Sequence, residues 1–192
     1  MSALNYFFSF LCSQDPLRSF AIEGRLLPFC QRCTGLYISL GITALFLLAS
    51  RLYKKGLPPT SVIYVNIASL LIMPIFGFHL LDPGPAWRFW SGLLYGNAVA
   101  FLLLPSTSII CNKGKVSGQY TKSSTLWFFA LFAFLNTIPL WFPIQSTFFF
   151  YIVLMLALTG LLCVLFCLFV IIVFYACFSK HVLSLFMKKH LM

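Results

Sequence analysis

The chain has 192 residues, of which 61% are hydrophobic and 8% charged, with a formal net charge of +10. A soluble domain carries about 25% charged residues, so a water-facing surface is excluded and the main solvent, and partner, is the lipid bilayer. The basic residues are scattered between apolar runs, with no basic face of interleaved stacking aromatics. That excludes a nucleic-acid partner and leaves membrane topology as the use of the charge.

Within lipid, each backbone polar group has to be satisfied inside its own segment, which favours helices. The expected fold is all-α: a polytopic membrane helix bundle of about five transmembrane helices with an N-terminal polar cap. Residues 1–11 are apolar but lack a preceding lysine or arginine and a small-residue cleavage site, unlike an ordinary signal peptide. About ten apolar residues are too few to span, so an interfacial or re-entrant segment is expected. The bulky Leu11 makes "FSFLC" a poor lipoprotein site. Residues 1–33 are assigned to the cap, 34–178 to the bundle and 179–192 to a basic interfacial tail.

Helices are expected at 34–50, 60–81, 89–110, 125–142 and within 147–178. Pro74 and Gly77 should kink the second, and Pro105 lies near the end of the third. The last run exceeds the roughly 20 residues of one crossing, so it should tilt or project.

Of the 13 lysines and arginines, nine (Arg51, Lys54, Lys55, Lys113, Lys115, Lys122, Lys180, Lys188, Lys189) fall on one side of these helices. Arg18, Arg25, Arg32 and Arg88 fall on the other. The positive-inside rule then puts the C-terminus in the cytoplasm and the N-terminal segment outside, in the cell inner (cytoplasmic) membrane. Trp87, Trp90 and Trp141 would mark the outer interface, and Tyr53, Tyr64, Tyr120 and Trp127 the inner one. All 3 acidic residues, Asp15, Glu23 and Asp82, share the outer side with the arginines. Arginine with carboxylate reads as paired, geometrically fixed groups, so a polar cap network of Arg18, Glu23, Asp15, Asp82 and Arg88 is expected. Asp82 and Arg88 flank the turn "DPGPAW", where proline and glycine favour a tight loop.

Cys12, Cys30 and Cys33 belong to this cap. Two thiols three residues apart can close a redox disulfide or grip one metal ion, and the dipole at the start of the first helix lowers a thiol pKa for either use. Three readings stay open. Cys12, Cys30 and Cys33, with His79 as a fourth ligand, can bind zinc or another soft metal. Cys30 and Cys33, with Arg32 stabilising the thiolate, can cycle as a thiol/disulfide oxidoreductase that exchanges electrons with a quinone or a partner thiol. Or the cysteines only pack a structural cap for an unidentified protein partner. Whether the protein is an enzyme is left open. Cys163, Cys167 and Cys177 read as small apolar residues, and Cys111 lies near the inner interface.

Gly92-x-x-x-Gly96, and Gly35 with Ser39, are small-residue faces on which two helices can pack closely. No phosphate loop, serine triad or paired-carboxylate site occurs. No carboxylate is expected in mid-membrane, which argues against ion-driven transport.

"CSQDPLRSFAIEG" followed by "LPFCQRCTGLY" resembles a family of small prokaryotic multi-pass membrane proteins known only as domain of unknown function number twenty eighty-five. Its signature runs Cys-His-Gln, Arg-Ser-Phe, Pro-x-Cys-x-Arg-Cys-x-Gly. A later Asp, then Arg with Gly-x-x-x-Gly, resembles "LDPGPAWRFWSGLLYG". The matching positions are Cys12, Gln14, Arg18, Ser19, Phe20, Gly24, Pro28, Cys30, Arg32, Cys33, Gly35, Asp82, Arg88, Gly92 and Gly96. The family's histidine after the first cysteine is Ser13 here. The resemblance implies fold type and membrane location, and no activity.

Overall fold

The computed structural model describes residues 6, 8–9, 12, 14–77, 84–112, 115, 118, 120–138 and 146–190, with side chains at all of these except 76–77 and 176–190. Five helices lie among them: α1 (Gln31–Ala49), α2 (Thr60–Gly77), α3 (Pro85–Cys111), α4 (Lys122–Thr137) and α5 (Thr147–His190). The protein is thus a mostly helical membrane protein. The helices α1, α3 and the Thr147–Tyr175 part of α5 have the length and apolarity to cross a bilayer. The apolar stretch Thr60–Ile75 of α2 is shorter, and α4 has 16 residues. Of the five crossings expected, three therefore reach full length among the described residues.

Local chemistry sets the ends. Gly84, at φ 116, precedes Pro85 at the first turn of α3, where proline loses no hydrogen bond and its fixed φ suits a helix start. That is why α3 begins before the expected residue 89. Pro74 and Pro105 both lie inside their helices. Around Pro105 the hydroxyls of Ser106 and Thr107 donate to the carbonyls of Leu102 and Leu103 at 2.6 and 2.8 Å. After α1, Arg51 turns left-handed at φ 55 and a short 3-10 turn, Leu52–Lys55, follows. At α4, the Thr121 hydroxyl caps by accepting from the Ser124 N–H at 3.3 Å. The backbone of α5 stays helical for 44 residues, about 66 Å at 1.5 Å per residue. The expected tail at 179–192 is continuous with that helix through His190.

The cap contains the one feature that the all-α expectation lacked. Ser19–Ile22 (β1) and Arg25–Cys30 (β2) pair antiparallel, with Ser19 opposite Cys30 and Ile22 opposite Arg25. The two-residue turn Glu23–Gly24 has φ of 50° and 71°, the left-handed pair that matches the twist of a tight hairpin. The hairpin's apolar side, with Ile22, Leu27 and Phe29 buried, seats on the helices. Phe29 meets Phe8 and Tyr37 at ring-centroid distances of 5.1 and 5.9 Å, and Phe20 meets Phe89 at 5.6 Å.

Below the cap, α1 and α3 touch backbone to backbone. A Cβ at Gly35 would collide with the Phe89 carbonyl, one at Gly92 with the Arg32 carbonyl, and one at Gly96 with the Leu36 carbonyl and the Ser39 hydroxyl. Small residues allow this approach, which dispersion then rewards in lipid, where no hydrophobic effect drives helices together. Deeper, the Thr43 hydroxyl donates to Asn97 Oδ1 at 3.0 Å. A second close contact, unforeseen in the sequence, joins α1 to α5. A Cβ at Gly160 would stand 2.7 Å from both the Gly41 nitrogen and the Tyr37 carbonyl oxygen. The α1–α3 contacts ascend together in residue number, and α5 starts at Thr147 against Glu23 of the hairpin and passes Leu48 and Lys54 at Leu162 and Phe166, so α1, α3 and α5 run parallel, away from the cap. Phe128 docks α4 on α3 against Phe101, with centroids 4.7 Å apart. At the far end Lys55 Nζ donates to Ser124 Oγ at 3.2 Å.

Candidate metal centre

Three local devices bring Cys12 to Cys30 and Cys33. First, Gln14 adopts φ 52 and turns the chain, and its Nε2 donates to the Pro28 carbonyl of β2 at 2.9 Å. Second, Asp15 closes the 3-10 turn Pro16–Arg18 by accepting from the Leu17 N–H at 3.0 Å, and the Ser19 hydroxyl returns to the Asp15 carbonyl at 2.9 Å. Third, the hairpin sets Ser19 opposite Cys30. The Cys30 N–H then donates to Cys12 Sγ at 3.2 Å.

The sulfurs of Cys12, Cys30 and Cys33 all lie within 4.8 Å of one another. All three cysteines are free thiols, Cys12 buried and the others half-buried. Cys30 is the N-cap residue of α1, its side chain makes no capping bond, and the first turn holds no acid. The helix's positive end therefore faces the sulfurs with no acid in its own first turn to offset it. Hydrogen bonds from the Cys30 thiol, then the Cys33 thiol, hold Cys12 well below the usual thiol range, against the effect of burial; the backbone N–H groups of Cys30 and Gln14 add to this. Cys30 is pushed up, the bond to Cys12 being the largest cause. The cluster thus favours negative charge on Cys12 over Cys30.

This donor set fits a soft or borderline cation. Tetrahedral zinc with bonds of about 2.3 Å needs sulfurs about 3.8 Å apart, which small side-chain rotations reach from the observed spacing. The three-cysteine group can hold a metal ion.

The other expected site residues are placed as follows. Arg32 is half-buried in the first turn of α1, its carbonyl against Gly92. Arg18 Nε pairs with Asp15 Oδ2 at 3.4 Å, both side chains about 40% exposed (43% and 37%); such a pair adds little stability. Glu23 accepts a hydrogen bond from the Thr147 hydroxyl at the start of α5, tying the hairpin tip to that helix. Arg88 Nη1 donates to Gln31 Oε1 at 3.5 Å. His79, Asp82 and Ser13 lie outside the described residues. Sequence reasoning gave Gln14 no role. Its signal was its fixed place two residues after Cys12 in the motif.

Residues 12–102 match the model of a family described as "Predicted membrane protein (DUF2085)". An uncharacterized protein of Methanothermobacter thermautotrophicus is 36% identical over 101 residues, which cover 50% of this chain and 86% of the relative. No solved structure matches the chain. The matched segment contains the sulfurs, the hairpin, α1, α2 and most of α3, whereas α4 and α5 lie beyond it. The chain belongs to this family of membrane proteins of unknown function, number 2085.

Proposed function

We propose that this protein is a membrane-embedded metal-binding protein whose cap holds zinc, or another soft or borderline ion, through Cys12, Cys30 and Cys33. The approach of the three sulfurs to within 4.8 Å carries the reading, because Cys12 reaches Cys30 across 18 residues of sequence, and Cys33 lies farther along still. Bound metal would compensate the thiolate charge that the helix end already favours. A tetrahedral ion takes four donors, and His79 is the candidate for the fourth, with Ser13 standing where the family has histidine. The polar pairs of Asp15, Arg18, Glu23 and Arg88, with Asp82, serve to fix the cap.

Residues 1–33 form the cap, 34–178 the bundle and 179–192 a basic end. The excess of nine basic residues over four supports a cap outside the inner membrane and a cytoplasmic C-terminus. The alternative, a Cys30–Cys33 dithiol that closes to a disulfide as a quinone is reduced to quinol, uses two of the sulfurs and leaves the position of Cys12 without a purpose.

The test is elemental analysis of protein purified in detergent without chelator. One metal ion per chain is expected, absent from a folded Cys12→Ser/Cys30→Ser/Cys33→Ser variant. Equal metal in that variant, or none in the wild type, sinks the reading.

A further inference from the structure

We propose that a second site, at the end of the bundle away from the cap, binds one anionic phospholipid. A cavity of about 620 Å³ opens there between α1, α3 and α5, within the roughly 300–1,000 Å³ typical of ligand sites. Its lining changes character along one direction. Both α3 and α5 run away from the cap, so Leu104 on α3 and Leu162 on α5 line its inner part. Phe166, Ser108 and Asn112 follow toward the end. Lys54, on the 3-10 turn after α1, completes that end.

The wall is apolar where acyl chains lie, and the mouth carries an ammonium and hydroxyl and amide groups where headgroups lie. Leu162 and Phe166 are each 65% exposed, so the cavity opens sideways, the route by which a lipid arrives. The Lys54 ammonium stands 5.7 Å from the centre of the Tyr53 ring. The described carboxylates, Asp15 and Glu23, both sit in the cap at the opposite end, so neither neutralises Lys54. Ser108 Oγ accepts from Asn112 Nδ2 at 3.3 Å, which leaves its O–H to donate to a phosphate oxygen. A cationic pocket between helices at the membrane surface selects anionic headgroups. The lining residues on α3 and α5 lie beyond residues 12–102, whereas Leu48, Tyr53 and Lys54 lie within that match.

Native mass spectrometry of the delipidated full-length protein in detergent tests this with three probes: phosphatidylglycerol, phosphatidylcholine and inorganic phosphate. One phosphatidylglycerol should be retained per chain in preference to the other two. Lys54→Gln should weaken that binding about fivefold, the share of one basic group near a membrane surface. Leu162→Trp, which fills the wall, should weaken it as well, and Lys122→Gln, exposed at the start of α4, should not. Equal retention of the two lipids, equal losses from Lys54→Gln and Lys122→Gln, or capture of free phosphate in place of lipid would overturn the proposal.

Discussion

The backbone N–H of Cys30 donates to the sulfur of Cys12 at 3.2 Å. The bond links the residue that caps α1 to a cysteine on the far side of the hairpin. It orients Cys12 Sγ toward the start of α1 and stabilises charge on it.

In protein stripped of metal, Cys12 should be a thiolate at neutral pH. Its folded pKa is lowered, so its contribution to stability is full above the unfolded thiol value of about 8.5 and is lost as pH falls below that. Cys30 is raised, so its contribution is present below about 8.5 and lost as pH rises above it. The stripped protein should be most stable near about pH 8.5. Ultraviolet thiolate absorbance should persist below pH 7 in the wild type and vanish there in Cys12→Ser. A single ordinary thiol titration in both would contradict this.

Gln14 holds Cys12 in place through the Pro28 carbonyl and its own left-handed backbone. Gln14→Ala should weaken metal affinity about tenfold, the low end for a residue that orients a ligand. Gln14→Gly relieves the backbone strain but still lacks the amide, so its affinity should fall similarly. Competition with a chromophoric chelator measures both; unchanged affinity in the pair would remove Gln14 from the site.

Gly92→Ala forces a Cβ into the Arg32 carbonyl, and backbone cannot move aside as a flexible side chain does. A cost of about 1–3 kcal/mol or more is expected, and it falls one residue from Cys33, so metal should be lost with stability. Gly24→Ala meets nothing within 4 Å and pays only for φ +71, about 1–2 kcal/mol, with metal retained. Thermal unfolding in detergent, paired with elemental analysis, separates the two. Equal metal loss in both variants would show that α1–α3 contact does not set the site.

Fluorescent-protein fusions after Gly56 should be bright, and alkaline-phosphatase insertions beside Leu17 active, because the first marks the cytoplasm and the second the outside. The opposite pattern would reverse the orientation and put the sulfurs in the reducing cytosol.

Helical membrane architecture is legible in the sequence because long apolar runs with few charges have few other solutions. Crossing lengths are less so: the expected spans 60–81 and 125–142 run past the described ends of α2 at Gly77 and α4 at Thr137. The hairpin is hidden because Leu26, Leu27 and Pro28 interrupt the alternation that marks a strand. Its trace is the Glu23–Gly24 pair between Phe20, Ile22 and Leu27, Phe29. The small-residue spacing of Gly35–Ser39 and Gly92–Gly96 points to close helix contact from sequence alone. Gly41 and Gly160 carry no such spacing, so their contact emerges only in three dimensions. The three cysteines stand out by type, but what joins them, a side-chain amide and a hairpin register, is a long-range arrangement that no local pattern encodes.

X-ray absorption at the bound metal's edge, on protein purified without chelator, tests the metal centre most directly. A first shell of three sulfurs at about 2.3 Å with one lighter donor is expected for zinc. A shell of oxygen and nitrogen alone, or no bound metal, would contradict it.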